Sequence, residues 1–244
     1  MPVKLKHLRL VRNLQELAAL PAGKLMINTI NAHSYNVAQR DGRFADALQA
    51  GELVPDGASI VKACRWLKAD FQPTERIAGW DLFQFEMNRL GDRQCVMFMG
   101  SSPSVLQKIE ERMRQEYPSM RVVTYSPPYK PTFNEEDNLQ IIEAINRANP
   151  DLLWIGMTAP KQEKWVYDNW SKLDVHCHVG AIGAVFDFYA GTLRRAPLWW
   201  QRHGLEWLHR LLKEPRRMWR RYLVGNTKFM YYILKEKLSK PNKL

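Results

Sequence analysis

Five short runs of apolar and β-branched residues recur through the first three quarters of the chain. They cover Leu25–Ile30, 95–99, Arg121–Tyr125, 151–155 and 175–179. Amphipathic stretches with helical spacing lie among them, at 34–50, 81–90, 105–117, 134–148 and 160–170. In the third of these Val105, Ile109 and Met113 recur every four residues, as a helix packing one face on a sheet requires. Strands alternating with helices of this length predict βαβ units. The expected fold class is therefore α/β, a mostly parallel Rossmann-like sheet flanked by helices. Ligands of such sheets bind in the loops beyond the strands' carboxyl ends, so chemistry is sought there.

The remaining fifth of the chain differs in kind. Lys and Arg number 36 against 25 Asp and Glu, a net of +11. Residues 194–244 hold 14 of the basic side chains and 3 of the acidic ones, so the body is electroneutral and the tail supplies the excess. A uniformly basic, histone-like scaffold is excluded. The tail interleaves its cations with Trp199, Trp200, Trp207, Trp219, Tyr222, Phe229, Tyr231 and Tyr232. Pro215 and Gly225 predict three helical pieces, near 198–213, 216–224 and 227–238. The division expected is an α/β catalytic domain over 1–194 and a basic, aromatic helical appendage over 195–244.

Cys64, Cys95 and Cys177 form no CxxC spacing, which suits a reducing compartment. With no signal-like leader and no run of 18 apolar residues, the expected location is cytoplasmic.

Several strand-end loops carry polar groups. Thr29 and Asn31 follow the first strand, where such side chains bond a sugar or phosphate or cap the next helix. Pro55-Asp56-Gly57 is a turn sequence whose carboxylate either bonds its own backbone or acts as a general base toward a sugar hydroxyl. Gly100, between a strand and a helix, lets backbone approach an anion at the helix start, but no GxGxxG surrounds it. Lys161, Gln162 and Glu163 open a helix behind Pro160, and a lysine at the positive helix end hints at an anionic ligand. Asp187 sits inside an apolar run, for a structural or a ligand role. No DxD pair, HExxH or GxSxG is present, so neither a metal nor a serine hydrolase is expected.

These motifs, in this order, resemble the WecG/TagA/CpsF family of bacterial glycosyltransferases. The resemblance runs through Thr29-Ile30-Asn31-Ala32, Pro55-Asp56-Gly57, Arg76-Ile77-Ala78-Gly79-Trp80-Asp81, Gly100, Ala159-Pro160-Lys161-Gln162-Glu163 and the 180–191 stretch. It ends on Arg195-Ala196-Pro197, the run from Gly204-Leu205-Glu206-Trp207 to Leu211, and Glu214-Pro215-Arg216-Arg217. It implies inverting, metal-independent transfer from a UDP-sugar to a prenyl-diphosphate-linked sugar at the inner face of the cytoplasmic membrane, with no cofactor. Asp56 then matches the proposed base, Thr29 and Asn31 polar groups near sugar and acceptor, and Arg76 and Gln162 contacts to the donor. Where members carry Gly-Tyr-Phe near the nucleotide this chain reads Pro127-Pro128-Tyr129-Lys130, which leaves Tyr129 as the substrate-facing aromatic. Where many carry an acidic residue shortly after Asn31, this chain has Ala32-His33-Ser34.

Arg210, Arg216, Arg217, Arg220 and Arg221, beside Trp219 and Tyr222, suit an anionic membrane surface and a lipid-linked acceptor. Homo-oligomerisation is left open. Two other readings fit less. A nucleic-acid binder would explain the basic aromatic arm but leave the Asp56 and Lys161–Glu163 loops without a role. A nicotinamide enzyme lacks its glycine fingerprint.

Overall fold

The computed structural model describes residues 3–91 and 93–239, and leaves the Arg217 side chain outside that description. Its six strands are β1 (Leu25–Ile30), β2 (Glu52–Pro55), β3 (Cys95–Gly100), β4 (Arg121–Tyr125), β5 (Leu152–Gly156) and β6 (His178–Ala181). They form one sheet in the order β2-β1-β6-β5-β3-β4, parallel throughout. The helices of the body are α1 (Leu14–Ala18), α2 (Ala32–Ala38), α3 (Gly42–Gln49), α4 (Ala58–Leu67), α5 (Gly79–Arg89), α6 (Pro103–Glu116), α7 (Glu135–Ala148), α8 (Lys161–Asn169) and α9 (Val185–Tyr189). The tail adds α10 (Leu198–Arg202), α11 (Glu206–Lys213), α12 (Pro215–Trp219) and α13 (Gly225–Leu238).

Two helical layers sandwich the sheet. On one face Val96, Phe98 and Trp154 pack against Leu82, Ile109 and Phe186 of α5, α6 and α9. On the other, α2, α3, α4 and α13 cover the β1–β2 half, and α7 and α8 the half around β5 and β3. Covered on both faces, β3 and β5 are buried at every position, which is why they read as continuous apolar runs. The sheet is the α/β fold that the strand–helix alternation predicts.

Several boundaries differ from expectation, each for a local reason. The 34–50 stretch is two helices, because Asp41 turns the chain and accepts from Phe44 N at 3.0 Å as the cap of α3. The last strand begins at His178 rather than 175, where its pairing with Leu25 and Leu152 starts. It continues through Gly180, where a Cβ would come within 2.2 Å of the Trp154 ring. Neither β2 nor α4 was anticipated.

The tail breaks at Pro215, as the sequence predicts, but not at Gly225. Gly225 interrupts nothing: one helix runs from Pro215 to Leu238 through a turn of π-helix over Arg220–Val224. Asn36 Nδ2 donates to the Gly225 carbonyl at 2.7 Å, so long-range bonding holds that turn. A further corner lies between α10 and α11, inside the stretch expected as one helix, where Gly204 adopts φ +67.

The far end of the tail belongs to the core. Phe229 and Ile233, 3% and 1% exposed, pack with Leu5, Tyr35 and Ile60, and Phe229 meets the Tyr35 ring edge-on at 5.5 Å. Glu236 accepts from the backbone N of Leu5 (3.0 Å) and Lys6 (2.7 Å) and from the Tyr35 hydroxyl (2.8 Å). One carboxylate thus joins the C-terminal helix, the N-terminal segment and α2. By contrast α10 and α11 contain no buried residue.

Candidate active site

The chain leaves β1 for β2 on one side and returns to its other side as β6, so the carboxyl ends of β1, β2 and β6 are where a ligand of such a sheet is sought. Asn31, immediately after β1, caps α2 through its side-chain oxygen, accepting from His33 N at 3.0 Å and Ser34 N at 3.1 Å. Its Nδ2 donates to Asp56 Oδ2 at 3.4 Å, just past the end of β2. One amide therefore both caps a helix and aims a carboxylate. Thr29, partly exposed on β1, pairs in register with Val54 two residues before Asp56.

Asp56 lies within electrostatic reach of Arg76, Glu206 and Arg221, residues from a loop of the body and from two parts of the tail. Burial raises its carboxyl above the ordinary range and Glu206 adds to this, against the Asn31 hydrogen bond and the two arginines. His33 shares that environment. Burial, then the Arg221 charge, lowers its imidazole to about 4, so it is neutral at physiological pH. The tail closes over this corner. Gly204 approaches α4 so closely that a Cβ there would lie 3.1 Å from the Ala58 Cβ, two residues beyond Asp56.

The profile of the glycosyl transferase WecG/TagA/CpsF family matches residues 2–243. The chain belongs to this family. It is a glycosyltransferase. It is 30% identical over 217 residues, 88% of the chain and 81% of the relative, to the N-acetylglucosaminyldiphosphoundecaprenol N-acetyl-beta-D-mannosaminyltransferase of Bacillus subtilis (strain 168). It is 28% identical over 200 residues, 81% of the chain and 74% of the relative, to the Bacillus spizizenii protein of the same name.

Elsewhere in this glycosyltransferase the structure puts expected site residues to local uses. Gly100, at φ +119, stands where a Cβ would fall 2.4 Å from the Gly156 carbonyl, so strand packing alone requires it. Lys161 Nζ donates to the Lys130 carbonyl and lies 3.5 Å from the Phe133 ring centroid, which accounts for a cation at a positive helix end. Asp187 Oδ1 accepts from Thr192 Oγ1 at 3.2 Å and its carbonyl from Leu193 N, closing the turn after α9. Tyr129 is fully exposed in the loop after β4, the strand at the opposite edge from β2, and is not brought to the Asp56 group. Arg216 and Arg220 are exposed, Arg210 and Arg221 partly so, and the Arg217 side chain lies outside the described residues. Among the described residues no three His, Cys, Asp or Glu side chains gather as metal ligands, and no helix is long and apolar enough to cross a membrane.

Gln162 and Glu163 are 4% and 2% exposed. Gln162 accepts from Met157 N at 3.2 Å and donates to Glu163 Oε1 at 2.9 Å, fixing the loop between β5 and α8. Glu163 Oε2 is buried without a hydrogen bond, and burial pushes the carboxyl up to about 7. The folded state therefore holds this proton between about 4.5 and 7, whereas the unfolded chain releases it. Its stabilising contribution is full below about 4.5 and is lost as pH rises through about 7. Glu163→Gln should gain on the order of 3 kcal/mol over wild type between about pH 4 and pH 8. Urea unfolding of both proteins across that range tests this, and parallel curves would refute it.

Proposed function

We propose that this glycosyltransferase moves N-acetylmannosamine, or a closely related sugar, from its UDP derivative to a prenyl-diphosphate-linked N-acetylglucosamine, with inversion and without a metal. The observation that carries the reading is the Asp56 carboxylate at the end of β2, aimed by Asn31 and flanked by Arg76 and Arg221. The names of the two Bacillus relatives support the donor sugar and the acceptor.

In this mechanism Asp56 takes the proton of the acceptor hydroxyl. The hydroxyl oxygen forms a bond to the anomeric carbon from the face opposite UDP. The carbon–oxygen bond to the β-phosphate breaks, and its electron pair leaves with UDP. Arg76 and Arg221 meet the charge that develops on the diphosphate, for which guanidinium geometry is suited. The amino end of α2 adds partial positive charge beside the same crevice.

The tail suits a peripheral site on the inner face of the cytoplasmic membrane, where such an acceptor resides. Its exposed side chains include Trp199, Leu212, Trp219, Leu223, Tyr231 and Leu234, and Arg216 and Arg220 stand among them. Exposed apolar groups rimmed by cations fit an anionic lipid surface.

The test is incubation with a panel of UDP-sugars and a prenyl-diphosphate-linked N-acetylglucosamine in chelator, with product mass and anomeric configuration as readouts. A disaccharide product of inverted configuration from UDP-N-acetylmannosamine is expected. No transfer from any UDP-sugar, or turnover abolished by the chelator, would overturn the reading.

A further inference from the structure

We propose that Glu206 is a positioning residue, whose carboxylate gathers the guanidiniums of Arg76 and Arg195 into one fork and so fastens α10 and α11 over Asp56. This inference rests on the reading of Arg76 as a ligand of the donor diphosphate.

The contacts are specific. Glu206 Oε2 accepts from Arg76 Nη1, and Glu206 Oε1 lies 3.4 Å from Arg195 Nη2. The three side chains come from three places: the loop before α5, the extended segment before α10, and the first turn of α11. They are 20%, 19% and 29% exposed, so water screens their charges only in part. Each arginine also has a second neighbour. Arg76 Nη2 lies 4.0 Å from Asp81 Oδ2, and the Arg195 guanidinium lies 5.3 Å from the Trp80 ring centroid. Asp81 and Trp80 both belong to the start of α5, so the fork is braced against the body.

Charge explains why a carboxylate is needed here. Two guanidiniums converging unaided on a half-buried spot repel each other. A single carboxylate between them gives a triad of net charge +1 in which most of the arginine N–H groups remain available to a phosphate. A neutral amide offers one acceptor oxygen and no charge, so it would leave the repulsion between the two guanidiniums uncompensated. Among the described residues α10 and α11 contain no fully buried residue, and their corner rests on Ala58 through Gly204, so the triad is a polar tie between this piece of the tail and the body. Breaking the triad should therefore loosen the lid and misplace Arg76 together.

Glu206 also acts on Asp56. Its negative charge raises the Asp56 carboxyl, while Arg76 and Arg221 lower it and Asn31 donates to it.

The full-length protein tests this with Glu206→Gln, Glu206→Asp and Arg76→Ala. Affinity for UDP and hydrogen exchange over residues 198–213 are the readouts, with rescue by Glu206→Asp separating a positioning carboxylate from a merely filled space. Glu206→Gln should weaken UDP binding about tenfold or more, by analogy with the loss of a charged hydrogen bond. It should also speed exchange across α10 and α11, and Glu206→Asp should restore part of each effect. Should Glu206→Gln fail to fold, Arg195→Gln breaks the same triad from its other side and is held to the same UDP and exchange results. UDP affinity and exchange at wild-type values in a Glu206→Gln protein, with Arg76→Ala impaired, would overturn the inference and leave the donor reading standing. Wild-type UDP affinity in Arg76→Ala would overturn the donor reading itself, and this inference with it.

Discussion

Replacing Asp56 with Asn should lower turnover by about 10²–10⁴-fold, the usual loss when a general base is removed, with little change in thermal stability. The substitution keeps the shape and one acceptor atom for the Asn31 amide, so the turn after β2 should persist. The proton acceptor is what disappears. Wild-type kcat/KM should itself fall on acidification with an apparent value above the ordinary carboxylate range, because burial raises Asp56 and a base works only when deprotonated. Transfer rates measured across pH for both proteins check the two statements together. Near wild-type turnover in folded Asp56→Asn would remove Asp56 from the reaction. An unshifted acid limb would mean that water reaches the carboxylate more freely than its surroundings imply.

Legibility in the sequence followed how local each determinant is. β4 falls on Arg121–Tyr125 as its β-branched run predicts, and α6 and α7 have ends set by Ser102 and Asn134, caps visible in the sequence. Gly180 misled for the opposite reason. A glycine reads as the end of a strand, yet the Trp154 ring on the neighbouring strand requires one inside β6. Gly225 misled likewise, since the bond from Asn36 that carries the helix through it spans 189 residues. The candidate site divides along the same line. Asp56 and Asn31 stand in loops that turn and capping chemistry mark out, and the structure joins them by a hydrogen bond. Arg221 and Glu206 reach that corner because the tail folds back, which no spacing reports. Glu163 illustrates a third case. Its place in a first helical turn at a strand end suggests a carboxylate offered to a ligand, and tertiary packing buries it instead.

Deleting the chain after Arg194 should unfold the protein rather than merely release it from a membrane. The deletion takes Phe229 and Ile233 out of the core, where truncating a phenylalanine costs about 3–5 kcal/mol and an isoleucine about 2–5. It also removes Glu236, leaving the Leu5 and Lys6 backbone N–H groups without their acceptor and the Tyr35 hydroxyl with the longer bond to the Val3 carbonyl. These losses together rival the whole stability of an ordinary domain, about 5–15 kcal/mol. A membrane role for the tail has to be probed on its outer surface instead. Arg216 and Arg220 are exposed, as are Trp219 and Leu223, so changing them leaves the buried face of α13 intact. The double variant Arg216→Gln, Arg220→Gln should keep the wild-type melting temperature while losing about 2 kcal/mol, roughly 30-fold, in partition onto anionic vesicles at low salt. Adding Trp219→Ser and Leu223→Ser should weaken binding further by a salt-independent amount, because apolar insertion is not screened. Circular dichroism melts and vesicle sedimentation separate the two effects. A truncated protein that melts like wild type would refute the core assignment of α13. Undiminished vesicle binding by the surface variants, or tighter binding to single-stranded DNA than to vesicles, would refute the membrane surface while leaving the fold argument intact.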